Sequence, residues 1–141
     1  MPIRVVLADD SLAVRDVLAQ ILNRSPDIDV VATADDEPTL LVAIEETRPD
    51  VVVTDVRMPP TGTDEGVRVA GRLATAQPDI GVVIVSQYSD PEWLRRVFDL
   101  GSANRGWVMK ERAHAEGQLV NAVKTVHRGD RWIDPSVMAP E

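Results

Sequence analysis

The 141-residue sequence contains no cysteine, only two histidines and no long apolar run. The missing thiols exclude disulfide bonds and thiolate metal sites, and His114 and His127 are too isolated to form a metal-binding pair. No apolar stretch approaches the roughly 20 residues that a transmembrane helix needs. The length suits one domain that buries an ordinary hydrophobic core without a covalent staple.

Basic residues are scarce relative to acidic ones. Lys and Arg number 15 against 23 Asp and Glu, which gives a formal net charge of −8. Such an acidic chain should be repelled by nucleic acids and by anionic membranes. The opening residues MPIRVVLADD lack the charged lead and long apolar stretch of a signal peptide. We therefore expect a soluble, cytoplasmic protein with no membrane partner.

Short apolar runs alternate along the chain with segments of helical periodicity. The predicted strands cover residues 3–8, 28–34, 51–54, 80–85 and 107–109. The predicted helices cover residues 11–24 and 37–47, two further segments beginning near Asp64 and Asp90, and residues 113–128. Strands joined by helices are parallel, with right-handed crossovers. Because three of the runs are continuously apolar, we expect a sheet covered on both faces, in an open doubly wound α/β fold.

Polar residues that could carry chemistry follow four of the predicted strands. Asp9 and Asp10 come after the first strand, Asp55 after the third, Ser86 closes the fourth and Lys110 follows the fifth. Ligands of such sheets bind at the carboxyl ends of the strands, where the strand order reverses. A single aspartate after a strand is usually a turn or helix cap, but the joint pattern at four strand ends indicates a site.

Three neighbouring carboxylates repel each other, and a hard divalent cation with oxygen ligands relieves that repulsion. Mg²⁺ fits best, because it prefers a few carboxylates together with water and a phosphate oxygen. Lys110 offers a mobile positive charge for an anion, and Ser86 offers a neutral donor. The set suits a carboxylate nucleophile that attacks phosphorus.

The motifs VVLADD, VVVTDVRMPP, VVIVS and WVMK resemble those of the receiver domains of two-component response regulators. The resemblance covers about residues 3–128. It implies a flavodoxin-like (βα)5 fold with a five-stranded parallel sheet in the order 2-1-3-4-5. It also implies a domain at residues 1–128 that catalyses its own phosphorylation and dephosphorylation and turns over no external substrate.

The resemblance implies a role for each site residue. Asp55 would accept the phosphoryl group, and Lys110 would pair with Asp55 or its phosphoryl group. Mg²⁺ would be held by Asp10 directly, by Asp9 more through water, by Asp55 and by the backbone carbonyl of Arg57.

The resemblance also implies residues that respond to phosphorylation or adjust its lifetime. Ser86 would swing toward the phosphoryl oxygens, coupled to Trp107 in the place of the family's aromatic switch. Arg57 and Tyr88 occupy positions that tune the phosphoryl lifetime.

The ending VHRGDRWIDPSVM resembles the receiver-to-linker junction of LuxR/NarL-type transcription regulators. Residues 129–141 are therefore predicted to be a linker or tail. The implied partners are a sensor histidine kinase and a second copy of the chain in a homodimer. DNA would be contacted only through a helix-turn-helix domain that this sequence does not contain.

Three other functions compete with the phosphoacceptor role. A phosphatase of the haloacid-dehalogenase type needs an aspartate two residues after the nucleophile, where this chain has Arg57. A flavin site needs phosphate-binding amides after the first strand, where Asp9 and Asp10 would repel phosphate. A phosphate-independent pseudo-receiver remains open, because the loop from Asp55 to Gly66 and the GSANRG stretch are longer than the common pattern and Trp107 is bulkier than the usual aromatic.

Overall fold

The computed structural model describes residues 2–88, 90–99, 103–113 and 117–135. Strands and helices alternate along this part of the chain. The strands are β1 (Ile3–Ala8), β2 (Ile28–Ala34), β3 (Val51–Asp55), β4 (Gly81–Ser86), β5 (Arg105–Met109) and β6 (Trp132–Ile133). The helices are α1 (Leu12–Asn23), α2 (Glu37–Thr47), α3 (Glu65–Ala76), α4 (Pro91–Phe98) and α5 (Gln118–His127), with a 3-10 turn at Lys110–Arg112.

The strands that the structure describes form one sheet in the order β2-β1-β3-β4-β5-β6, and every neighbouring pair is parallel. The predicted order 2-1-3-4-5 is confirmed, and so is the edge position of β2. The order reverses between β1 and β3. A crevice therefore opens at the carboxyl ends of these two strands, which is where ligands of open parallel sheets bind.

Helices cover both faces of the sheet, as the continuously apolar strands predict. On one face α2, α3 and α4 pack on a cluster that includes Leu40, Leu73 and Val52. On the other face α1 and α5 pack on a cluster that includes Leu22 and Val53. Val52 and Val53 are neighbours in β3 and fully buried on opposite faces, because side chains alternate along a strand.

Two element boundaries differ from the prediction by more than one residue. The last helix was expected from residue 113 but begins at Gln118, after Gly117 adopts a φ of 75° that favours glycine. The segment at 114–116, with His114, lies outside the described residues. The fifth strand was expected from Trp107 but begins at Arg105. The prediction started too late because neither Arg105 nor Gly106 carries the apolar signal of a buried strand.

The segment predicted as a linker contributes a sixth strand. Trp132 pairs with Gly106 and Ile133 pairs with Trp107, so β6 extends the sheet beyond β5. A two-residue strand is too short to produce a hydrophobic period in the sequence. Residues 136–141 lie outside the described part. None of the helices within the described ranges has the length and apolar character to cross a bilayer.

Candidate functional site

Three carboxylates converge at the carboxyl end of the sheet. One oxygen from each of Asp9, Asp10 and Asp55 lies within 4.8 Å of the others. Asp9 is fully buried, Asp55 is 9% exposed and Asp10 is exposed. β1 and β3 are adjacent parallel strands, so residues that follow their ends share one edge of the sheet. The structure therefore brings together the acids that the sequence singled out.

Lys110 joins two of these acids. Its Nζ lies 3.1 Å from Asp9 Oδ2 and 3.1 Å from Asp55 Oδ2. Only 16% of the Lys110 side chain is exposed, so these contacts are partly shielded from water. Lys110 comes directly after β5. Its side chain extends across the end of β4, which lies between β5 and β3 in the sheet, to reach the carboxylates.

Backbone groups fix the remaining oxygens of the two buried carboxylates. Asp9 Oδ1 accepts a hydrogen bond of 2.9 Å from the N–H of Ser11, the residue that caps α1. Asp55 Oδ1 accepts one of 2.8 Å from the N–H of Val56. In both acids the second oxygen faces Lys110, which orients it toward the cleft.

The charges at the site shift its ionisation. Burial raises the pKa of the Asp55 carboxyl, Lys110 acts to lower it, and Asp9 adds to the rise. Burial also acts to lower the pKa of the Lys110 ammonium, but Asp55 and Asp9 outweigh burial and raise it. The lysine therefore stays charged, while Asp55 binds a proton more readily than an exposed aspartate.

The carboxylates suit a hard cation. Asp9 Oδ2 is buried and accepts no well-aligned hydrogen bond within the described residues, although Lys110 lies close to it. Such an oxygen has electron density available for a metal ion. An oxygen-only donor set on an open cleft is typical of Mg²⁺, which keeps several waters. Arg57, whose carbonyl was predicted as a further ligand, lines the same cleft.

Ser86 and Tyr88 line the same cleft. Ser86 is almost fully buried at the end of β4, and its Oγ accepts a 3.0 Å hydrogen bond from the N–H of Tyr88. Accepting this bond leaves the hydroxyl hydrogen able to point to an anion.

The side chain of Arg57 stacks at the mouth of the cleft. Its guanidinium lies 4.9 Å from the centre of the Tyr88 ring and 5.3 Å from that of Trp93 in α4. A guanidinium over aromatic faces is attracted by cation–π interactions. The family resemblance implied tuning positions at Arg57 and Tyr88, and the structure adds Trp93 as a second ring beside the guanidinium.

Trp107 is fully buried in β5. The indole packs in the cluster beneath α2, α3 and α4, and its Nε1 has no hydrogen-bond partner within the described residues. A buried indole N–H without a partner is destabilising. The Trp107 ring therefore makes apolar contacts in this cluster, but its N–H donates no hydrogen bond within the described residues.

A buried glutamate, Glu65, organises the loop after Asp55, and sequence reasoning missed it. Its carboxylate accepts backbone hydrogen bonds from Thr61 (2.7 Å) and Thr63 (3.0 Å). Burial acts to raise the pKa of the Glu65 carboxyl, but the hydrogen bonds from Thr61 and Thr63 outweigh it and lower the pKa to about 2. The capping signal was visible in the sequence, but it pointed to Asp64, whose side chain makes no cap hydrogen bond.

The same loop closes tightly on the site. A Cβ at Gly66 would lie 2.0 Å from the carbonyl oxygen of Asp55. The N–H of Gly66 donates to the carbonyl of Val56 at 2.8 Å. Glycine is needed here because the backbone of α3 approaches the end of β3 too closely for any side chain.

Comparison with known proteins gives consistent results. The family model described as the response regulator receiver domain matches residues 5–124. Oxygen regulatory protein NreC of Staphylococcus carnosus is 34% identical over 95% of this chain and 59% of that protein. The chain therefore spans about three fifths of the length of this curated relative.

Two solved structures are similar in fold and sequence. The receiver domain of the response regulator NarL from Mycobacterium tuberculosis has 29% identity and a TM-score of 0.78, over 91% of this chain and 98% of that one. ChrA, a response regulator of a heme-sensing two-component system, has 36% identity and a TM-score of 0.75, over 97% of this chain and 62% of that one. The chain belongs to the family of response regulator receiver domains.

Proposed function

We propose that the chain is a signalling switch in which Asp55 accepts a phosphoryl group with Mg²⁺ as the cofactor. The observation that carries this proposal is the position of Lys110, 3.1 Å from the carboxylates of both Asp9 and Asp55. A partly buried ammonium beside a carboxylate nucleophile balances the charge that phosphoryl oxygens bring to the site.

In the proposed reaction, an Asp55 oxygen forms a bond to phosphorus while the bond from phosphorus to the donor breaks. The attacking carboxyl must be ionised, and Lys110 favours that form against the effect of burial. Ser86 would donate its hydroxyl hydrogen to a phosphoryl oxygen. Asp9, Asp10, Asp55 and the carbonyl of Arg57 would hold Mg²⁺, which would supply positive charge to the transferred group.

The signal would leave the site through Ser86 and Trp107. Ser86 would follow the phosphoryl oxygens, and the buried Trp107 would repack with it. Arg57 and Tyr88 would control the approach of water to the phosphoryl group, since their stacked side chains line the mouth of the cleft.

The proposed donor is a sensor histidine kinase, and the proposed output is control of transcription by a homodimer. Exposed apolar side chains on α1, Leu12 and Val17, are available for protein contacts. DNA would be contacted only through a helix-turn-helix domain outside this chain. NreC is named as an oxygen regulatory protein and ChrA as part of a heme-sensing system. These two names differ in stimulus, so the proposal assigns no stimulus to this chain.

Incubation with acetyl phosphate and Mg²⁺, followed by intact-mass measurement, tests the proposal. One phosphoryl addition is expected in the native chain, with release of acetate. Asp55→Asn and chelation of Mg²⁺ should each abolish it, while Asp16→Asn on the exposed face of α1 should not. Equal phosphorylation of the Asp55→Asn chain would contradict the assignment. A folded native chain that takes up no phosphoryl group would favour a phosphate-independent pseudo-receiver.

A further inference from the structure

A buried aspartate after α5 holds the turn that carries Lys110. Asp134 follows β6 and is fully buried. Its Oδ2 accepts a 3.1 Å hydrogen bond from the N–H of Met109, and its own N–H donates to the carbonyl of Trp107 at 2.8 Å. Asp134 thus continues the pairing of β6 with β5 up to the residue before Lys110.

The second oxygen of Asp134 reaches the other side of the lysine. Arg112 Nε lies 3.0 Å from Asp134 Oδ1, and Arg112 ends the 3-10 turn that begins at Lys110. One carboxylate therefore contacts the residue before Lys110 and a residue two positions after it. A buried carboxylate is costly unless its oxygens are paired, so these contacts resist being broken one at a time.

The segment that carries Asp134 is itself fixed to the domain. Arg131 donates to the carbonyl of Phe98 at 3.0 Å, and its guanidinium lies 5.7 Å from the centre of the Phe98 ring. Trp132 and Ile133 pack against the clusters on opposite faces of the sheet. These contacts fix the position of Asp134 independently of the turn that carries Lys110.

We propose that Asp134 is a positioning residue for Lys110, and this inference rests on the proposed phosphoacceptor function. The Lys110 side chain must place Nζ 3.1 Å from Asp55 Oδ2, and its backbone is set by the turn that Asp134 clamps. Small displacements of a charge-stabilising group have large effects on rate. The clamp also makes the segment after α5 respond to the site, because any shift of the lysine turn acts on Asp134.

The test measures phosphorylation of the 141-residue chain by acetyl phosphate with saturating Mg²⁺. Asp134→Ala removes the clamp, and Asp134→Asn keeps the acceptor for Met109 but loses the charge that pairs with Arg112. Asp130→Asn makes the same charge change at an exposed position of the same segment. We expect Asp134→Ala to slow phosphorylation about tenfold, Asp134→Asn to slow it less, and Asp130→Asn to leave it unchanged.

Measuring the effect of Asp134→Ala in a Lys110→Ala chain separates a positioning role from a general loss of stability. If Asp134 acts through Lys110, Asp134→Ala should slow the residual reaction of a Lys110→Ala chain by less than about twofold, because effects through a shared group are not additive. Mg²⁺ affinity, measured by calorimetry, should not change in Asp134→Asn. Thermal unfolding identifies variants that fail to fold. If Asp134→Ala does not fold, Asp134→Asn is compared with Asp130→Asn in its place.

The possible results separate this inference from the proposed function. If the native chain takes up no phosphoryl group, the proposed function fails and the inference fails with it. If the native chain is phosphorylated but both Asp134 variants match Asp130→Asn, only the positioning role is wrong. An equal loss from Asp134→Ala with and without Lys110 would also overturn the inference, since the effect would not pass through the lysine.

Discussion

Replacing Asp55 with asparagine should stabilise the metal-free protein, although it removes a salt bridge to Lys110. With an effective dielectric constant of about 20, the attraction at 3.1 Å between Lys110 and Asp55 is about 5 kcal/mol. Each acid within 4.8 Å of Asp55 repels it by at least about 3.5 kcal/mol on the same scale. The repulsion by Asp9 and Asp10 therefore offsets the attraction by Lys110, and burial of the Asp55 charge disfavours its ionisation further. Because Asp10 is exposed and partly screened, the expected net gain is about 1–2 kcal/mol.

Urea unfolding at pH 7 with a chelator measures this gain. The amide oxygen that Asp55→Asn introduces can still accept the hydrogen bond from Val56, so the change is mainly one of charge. A gain of this size corresponds to a rise in Tm of about 3–6 °C. Saturating Mg²⁺ should reduce or reverse the difference, because the native acids bind the cation more tightly and binding stabilises the folded state.

The pH dependence of the difference has a defined sign. Because burial raises the pKa of Asp55 in the folded protein, its ionisation disfavours folding. The advantage of Asp55→Asn should be absent below the unfolded pKa of 3.8, should grow as the pH rises from there to the folded pKa, and should stay constant above it. Asp16→Asn, an exposed change on α1, should show no such trend. A metal-free Asp55→Asn chain less stable than the native one at pH 7 would refute the charge balance.

Three further changes probe the loop and the mouth of the cleft. Gly66→Ala should destabilise the fold by about 3 kcal/mol, since its Cβ would lie 2.0 Å from the Asp55 carbonyl; unchanged urea unfolding would contradict this. Glu65→Gln should lose stability at neutral pH, because a carboxyl whose pKa falls from 4.5 to about 2 stabilises the fold above pH 4.5 and loses that effect as the pH approaches 2. Urea unfolding from pH 2 to 7 tests it, and parallel curves for the two chains would be inconsistent with that role. Tyr88→Ala should speed loss of the phosphoryl group a few-fold by removing one ring from Arg57, and an unaltered decay of the phosphorylated mass would disprove the gating role.

The sequence was sufficient to predict which side chains meet at the site. Asp9 follows β1, Asp55 ends the adjacent parallel strand β3, and Lys110 follows β5 on the β3 side of the reversal point. Strand ends in a parallel sheet share one edge whatever the loops do, so position along the chain translates directly into position in space. The continuously apolar runs likewise predicted the two-faced burial, because each buried face needs its own set of alternate residues.

The contacts that support the site could not be predicted in the same way. Glu65 and Asp134 are single acids, and nothing in their local sequence distinguishes them from exposed residues. Both are fully buried and accept hydrogen bonds from backbone N–H groups, Glu65 from Thr61 and Asp134 from Met109. Arg105 is similar: its buried guanidinium donates to the carbonyls of Ile80 and Ala70 at 3.2 Å, and burial lowers its pKa to about 10. Such partners are set by the tertiary path of the chain.

The charge of the cluster explains why a cation and a lysine would both be needed. Three carboxylates carry −3 and Lys110 carries +1, so the cluster alone has a net charge of −2. A phosphoryl group on Asp55 would replace a charge of about −1 with about −2, which would leave about −3 without a metal. A divalent cation held by Asp9 and Asp10 would bring the total to about −1 and would also take over the charge that Lys110 now offers to Asp9. The ammonium would then pair with the modified Asp55 alone, so metal binding would also release Lys110 from Asp9.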